Sequence, residues 1–393
     1  MQNKMGENKN IPQIRFIGFS GTWEERKLDD ISDDKYGGGT PKTSVESYWN
    51  GSIPWIQSSD LTEDELSNVY PRKFISEAGL RHSATKLVPQ NSIAIITRVG
   101  VGKLAYMPFS YTTSQDYLSL SKLNIDAWFS VYSIYKKIKG ELNAVQGTSI
   151  KGITKDELLS KCILIPNNPK EQSKIGTYFQ NLDKLITLQQ QKHDKLVTLK
   201  KAMLDKMFPK EGADVPEIRF KGFEGVWEEK KLGDVTHITT GKLDANAMKK
   251  DGKYDFYTSG IQKYKIDVYA FAGPAITIAG NGATVGYMHF ANGLFNAYQR
   301  TYVLFDFTEN REFLYFEISK VLPLKIKEEA RSGNIPYIVL EMLTDLKIKT
   351  PSLKEQSQIG SFFHNLDKLI SLQQQEIQKL KNIKKACLEK MFV

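Results

Sequence analysis

The chain has 393 residues, 40% of them apolar and 25% charged, enough to bury two cores of ordinary size and typical of a globular protein. No run approaches the roughly eighteen apolar residues of a membrane span, and the polar start MQNKMGENKN has no apolar signal region, so a cytoplasmic protein is expected. The 54 basic and 45 acidic residues give a net charge of +9, a lean toward anionic partners that identifies none by itself. Cys162 and Cys387 have no C-x-x-C spacing and read as free thiols in a reducing compartment.

After a polar lead (residues 1–11), PQIRFIGFSGTWEERKLDDI (Pro12 to Ile31) sets Phe16, Phe19 and Trp23 around the turn-formers Gly18 and Gly21. The segment returns as PEIRFKGFEGVWEEKKLGDV (Pro216 to Val235), identical at 13 of 20 positions. Two readings stand: a docking segment that packs on something both halves share, or a strand entering a core.

The first middle region, roughly 32–165, alternates turn residues with short β-rich runs. SIAIIT (Ser92 to Thr97) and YLSLSKL (Tyr117 to Leu123) read as strands, and Trp128 to Leu142 has helical spacing. The second middle region, roughly 236–350, repeats the order with AITIAG (Ala275 to Gly280), YVLFDF (Tyr302 to Phe307) and a helix from Arg311 to Leu322. Aligning TTSQDYLSL with FNAYQRTYVL superimposes Gln115 on Gln299. The two middles are therefore predicted to share a mixed α/β fold while their surfaces differ.

A second duplication is stronger. Lys170 to Phe208 and Lys354 to Phe392 align without a gap over 39 positions, 26 of them identical. Apolar residues recur at steps of three and four in both: Phe179, Leu182, Ile186, Leu196, Leu199 and Met203 in one, Phe363, Leu366, Ile370, Ile377, Leu380 and Ile383 in the other. That is one apolar stripe on a long helix. About 34 helical residues make a rod of roughly 50 Å, and such a stripe needs a partner, which the other copy supplies. Two-fold duplication predicts an antiparallel pair with the middle domains at opposite ends. Pro209 and Gly212 break the first helix and restart the cycle.

Catalytic signatures do not emerge. Gly100, Gly102 and Lys103 do not complete a P-loop, and Gly280, Gly282 and Gly286 miss the dinucleotide-binding spacing by one residue. The five histidines show no metal-ligand spacing, and no G-x-S-x-G elbow is present. The [D/N]-P-P-[Y/F] signature of amino methyltransferases is also missing. Repeated parts suit repeated partners and divergent parts suit different targets. Two divergent domains on a rod of fixed length form a two-pronged reader, and duplex DNA offers half-sites about 34 Å apart.

On its KEQSxIGxxFxNLDKLIxLQQQ helix entries and KKAxLxKMF ends the chain resembles the specificity (S) subunit of type I restriction–modification systems. Gly37 to Leu61 looks like the start of a first target-recognition domain, and Thr240 to Gly260 like the start of a second. The resemblance covers nearly the whole chain. It implies an α+β fold of two mixed α/β target-recognition domains joined by two long antiparallel coiled-coil helices, with an internal pseudo-two-fold duplication. The expected division is 12–165 for the first recognition domain, 166–208 for the central helix, 209–350 for linker and second recognition domain, and 351–393 for the C-terminal helix. The resemblance further implies a non-catalytic subunit whose two domains each read half of a bipartite, asymmetric site in double-stranded DNA. Its partners would be two modification subunits, which methylate adenine N6 with S-adenosylmethionine, and restriction subunits that use ATP and Mg. No cofactor, metal or membrane contact is expected on this chain.

Side-chain chemistry, since recognition domains differ between relatives, selects the candidate readers. Arg and Lys suit guanine, Asn and Gln suit adenine, and Ser, Thr and Tyr suit bases or phosphates. The choices in the first domain are Lys42, Arg98, Lys103, Thr113, Gln115 and Gln146. In the second they are Lys242, Asn281, Thr284, Asn296, Gln299 and Arg300. For the helix pair and partner contact they are Phe179, Leu182, Ile186, Leu196, Met203, Phe363, Leu366, Ile370, Ile377 and Leu380. Two competing readings are a two-headed coiled-coil scaffold that binds only proteins, and a self-sufficient DNA methyltransferase, which the missing motif disfavours.

Overall fold

The computed structural model describes residues 10–144, 152–329 and 337–393. They fall into two compact units, one of residues 1–189 with 376–393 and one of residues 190–375.

In the first unit a four-stranded antiparallel sheet runs in the order Ser32–Gly37, Tyr117–Leu123, Ser92–Ile96, Leu104–Met107. A three-stranded sheet of Lys73–Ile75, Ile53–Ile56 and Thr112–Thr113 lies beside it. The second unit repeats the four-stranded order with His237–Thr240, Thr301–Phe305, Ala275–Ala279 and Met288–Ala291. Its other sheet has four strands: Lys263–Ile266, Tyr254–Tyr257, Leu294–Ala297 and Phe271–Ala272. One inner strand of each main sheet is mostly apolar and buried along its length, Ser92–Ile96 in one and Ala275–Ala279 in the other, as a strand covered on both faces must be. A helix follows each sheet, Ala127–Ala144 and Arg311–Glu329. The second continues through Pro323, past the predicted stop at Leu322.

Both long helices form, Pro169–Lys206 and Leu353–Met391. Pro169 pre-sets the backbone angle of the first helical position, and Asn168 Oδ1 accepts from Lys170 N at 3.0 Å. The recurring Glu-Gln of each entry then has a structural task. Glu171 takes a bidentate pair from Arg15, with Nε and Nη2 donating at 2.6 and 2.8 Å; Glu355 takes the same from Arg219 at 2.6 and 2.7 Å. Gln172 Oε1 accepts from Asp126 N at 3.0 Å, and Gln356 Oε1 accepts from Asn310 N at 3.0 Å. Each glutamine therefore ties the long helix to the start of the domain helix. The approach is close enough to require glycine one turn on. A Cβ on Gly176 would stand 2.7 Å from Phe129 N, and one on Gly360 2.8 Å from Phe313 N.

Both readings of the duplicated opening segment hold. Phe16 lies edge-on to Tyr178, and Phe220 to Phe362, so the aromatics dock on the shared helix. Glu24–Lys27 and Glu228–Lys231 form strands, paired with Cys162–Ile165 and Lys347–Thr350.

The core of each unit joins the start of one long helix to the end of the other. In the first, Phe392 packs on Trp23, Phe129 and Phe179. In the second, Phe208 packs on Trp227, Phe313 and Phe363. Contacts run in opposite senses within each unit: Tyr178 with Cys387 and Asp183 with Lys384 in one, Phe363 with Phe208 and Asp367 with Lys200 in the other. The paired segments are thus antiparallel. Along the stripe Phe179, Phe363, Leu366 and Ile377 are buried, and Leu182, Ile186, Leu196, Met203, Ile370 and Leu380 are half-buried. Leu199 and Ile383 depart from the expectation: both are exposed, because each lies one position before an inward-facing lysine, Lys200 or Lys384, that pairs with an aspartate.

Candidate nucleic-acid interface

Backbone hydrogen bonds define one equivalent edge in each unit. Thr97 N donates to Asp116 O at 2.7 Å, and Gly280 N to Arg300 O at 2.8 Å. Ser114 N donates to Ile56 O at 3.0 Å, and Tyr298 N to Tyr257 O at 2.9 Å. Ile153 N closes onto Thr97 O at 2.7 Å, and Ile338 N onto Gly280 O at 2.8 Å. Gln115 is therefore equivalent to Gln299, as the alignment has it. By the same bonds Thr97 is equivalent to Gly280, and Arg98 to Asn281.

In the first unit this edge exposes Arg98 and Gln115. Gln115 Oε1 accepts from Thr40 Oγ1 at 2.7 Å, which leaves its amide nitrogen as a donor. Lys42 is exposed in the turn that follows, where its carbonyl accepts from Trp49 Nε1 at 3.3 Å. Lys103 is half-buried and donates to Leu61 O at 3.0 Å, so its ammonium is engaged within the fold. Thr113 is completely buried in the short strand parallel to Ile53–Ile56, out of reach of a ligand. Gln146 lies outside the described residues. A cleft of about 770 Å³ opens at the edge, lined by Arg98, Gln115, Leu118, Ile153 and Lys155 among others. Sequence reasoning passed over Lys155, which only the fold brings beside Arg98 and Gln115.

In the second unit Gln299, Arg300 and Lys242 are exposed. Gln299 N donates to Leu243 O at 2.8 Å, which holds Lys242 close to that edge. Asn281 Oδ1 accepts from Ser259 Oγ at 2.6 Å, and Thr284 Oγ1 donates to Ser259 O, so these two converge on one loop. Asn296 does not belong with them. It is only 3% exposed, its Nδ2 donates to Val268 O at 3.1 Å, and its Oδ1 accepts from Ala297 N at 2.9 Å. Both ends of its amide serve the fold.

The arrangement suits binding. Among the described residues no group of His, Cys, Asp and Glu is placed to hold a metal ion, and no helix is long and apolar enough to cross a membrane. Exposed Arg, Lys and Gln side chains stand on matching edges of two like domains, which defines the class: a duplicated recognition scaffold. The family model described as Type I restriction modification DNA specificity domain matches residues 20–198 and 224–382, and the chain belongs to that family.

Relatives are consistent with this. The chain is 39% identical over 145 residues to the Type I restriction enzyme EcoDI specificity subunit of Escherichia coli, covering 37% of this chain and 31% of that protein. It is 26% identical over 230 residues to the MjaIX specificity subunit of Methanocaldococcus jannaschii, covering 56% of this chain and 52% of that protein. The matched part therefore spans about a third to half the length of these two relatives. A match to the EcoprrI specificity subunit of Escherichia coli, 24% identical over 370 residues, covers 89% of this chain and 88% of that one. The crystal structure of the S subunit of a type I restriction-modification system from M. genitalium superimposes with a TM-score of 0.71 at 19% identity, covering 98% of this chain and 99% of that one. That likeness shows the fold.

Proposed function

We propose that this chain is the non-catalytic DNA specificity subunit of a type I restriction–modification complex. Each unit reads one half of a bipartite, asymmetric site in duplex DNA, through the edge that carries Gln115 in one and Gln299 in the other. The observation that carries the reading is the equivalence of these edges in backbone hydrogen bonding combined with their different side chains, Arg98 facing Asn281 and Asp116 facing Arg300 in the alignment. One architecture with two inscriptions is what two unlike half-sites require.

The long helices serve as holders of two modification subunits. Leu185 and Leu188 are exposed on the first, and Leu369 and Leu372 at the equivalent positions of the second. An apolar pair kept exposed in both copies suits one partner bound twice. S-adenosylmethionine would be carried by those modification subunits, and ATP and Mg by restriction subunits.

The test is a genome-wide map of N6-methyladenine in cells with and without the chain, followed by exchange of residues 32–165 for another recognition domain. The expected result is a two-part motif that vanishes with the gene and changes in one half on exchange. A map that does not change although modification subunits co-purify with the chain would overturn the reading and favour a protein-only scaffold.

A further inference from the structure

We propose that the first unit, but not the second, takes an unstacked base with a carbonyl on its major-groove edge, guanine or thymine, from its half-site into the cleft beside Gln115. This rests on the DNA-reading function proposed above and adds a mode of contact that differs between the units.

The cleft, about 770 Å³, is within the range of sites that enclose small molecules, roughly 300–1,000 Å³. Its polar lining presents donors. The side chains of Arg98 and Lys155 are exposed and make no hydrogen bond or ion pair among the described residues, and Gln115 offers Nε2 because Thr40 occupies its Oε1. No carboxylate is among the described residues that line the cleft. Such a set fits O6 and N7 of guanine or O4 of thymine, whereas the N6 amino group of adenine or the N4 amino group of cytosine would meet donors with a donor. Leu118 and Ile153 supply apolar walls, and Leu118 is only 2% exposed. A base edge still stacked in the duplex does not reach that depth; a base rotated out of the stack does.

The second unit sets a larger side chain at the same place. Strand register sets Leu118 opposite Ile95 and Tyr302 opposite Ile278, on equivalent strands. Where Leu118 stops short, Tyr302 extends across and donates its hydroxyl to Ile338 O at 2.9 Å. Its ring lies so near Gly280 that a Cβ there would stand 2.9 Å from Tyr302 Cε2. Thr97 occupies the position of Gly280 in the first unit. Two coordinated differences, Thr97 with Leu118 against Gly280 with Tyr302, thus leave one cleft open and fill the other.

The experiment uses the full chain in complex with its modification subunits, on duplexes bearing the motif from the methylation map. Unstacked thymines are detected by permanganate oxidation, and unstacked guanines by 6-methylisoxanthopterin placed at each guanine in turn. One reactive or fluorescent position is expected in the first half-site and none in the second. The Thr97→Gly/Leu118→Tyr variant copies the closed arrangement and should abolish the signal and weaken binding roughly tenfold. Gln115→Ala, which trims an exposed side chain and leaves the core intact, should relax discrimination at that base pair alone, and it carries the test if the double variant fails to fold. The proposal is overturned by no unstacked guanine or thymine in the first half-site, by equal signals in both halves, by a signal that survives in the folded double variant, or by unchanged discrimination in Gln115→Ala. Failure of the underlying reading looks different: no methylation motif and no preference for any duplex.

Discussion

Arg15 and Arg219 each hold a carboxylate that solvent barely touches, the Glu171 side chain being 1% exposed and that of Glu355 fully buried. Removing the arginine strands a buried charge, a change that typically destabilises by about 3–5 kcal/mol. Arg219→Ala should therefore lower the urea midpoint markedly, and Arg219→Ala/Glu355→Gln should recover part of the loss. Glu317 poses the opposite problem. It is buried on the domain helix of the second unit, where burial raises its pKa from 4.5 to about 7 against the smaller opposing influence of the Lys349 backbone N–H and the charges of Lys320 and Lys349. A carboxyl raised in the fold favours the folded state below its unfolded pKa and loses that contribution as pH rises through the folded one. The window is thus about pH 4.5 to 7, with a swing on the order of 3 kcal/mol. Glu317→Gln should gain stability relative to the parent between pH 5 and pH 8, measured as the difference in urea midpoints. An unchanged difference across that range would show that Glu317 does not titrate there. At this scale the sequence was a partial guide: Arg98 and Gln115 were chosen on chemistry and lie at an exposed edge, yet Thr113 and Asn296, chosen on the same grounds, are inside. Chemistry says what a side chain can bind, and only strand register says which way it faces.

The long helices were readable because their apolar residues recur every three to four positions, and the domain strands because apolar residues cluster between turn-formers. The identity of each helix end's neighbour was not readable. The aromatic partners Trp23 and Trp227 occur in duplicated segments with the same aromatic spacing, so Phe208 had two suitable docks, and the fold selects Trp227 for it and Trp23 for Phe392. Phe392→Ala should destabilise the first unit by about 3–5 kcal/mol, the usual range for a buried phenylalanine, with Trp23 fluorescence as the probe. Phe208→Ala should do the same in the second, reported by Trp227. The exposed leucines make a separate prediction: Leu188→Asp or Leu372→Asp alone should leave folding intact, since neither side chain is buried, and reduce the recovery of modification subunits by about half in a pull-down. Both together should abolish it.

At the scale of the whole chain, the first unit is assembled from two segments far apart in sequence, residues 1–189 and 376–393. Ile14 N donates to Lys390 O at 2.9 Å, Lys136 Nζ donates to Phe392 O at 2.7 Å, and Leu388, Met391 and Phe392 belong to the same core as Trp23 and Leu28. The second unit is one uninterrupted stretch, residues 190–375. A ribosome makes the chain from the amino end, and domains ordinarily settle in that order. Here the order is inverted. The unit whose first segment emerges first keeps its core unfinished until residues 376–393 have been made, while the unit of residues 190–375 has all its parts sooner. The segment 376–393 thereby sets when the first unit can close, because without Leu388, Met391 and Phe392 the core that holds Trp23 and Leu28 lacks one of its walls.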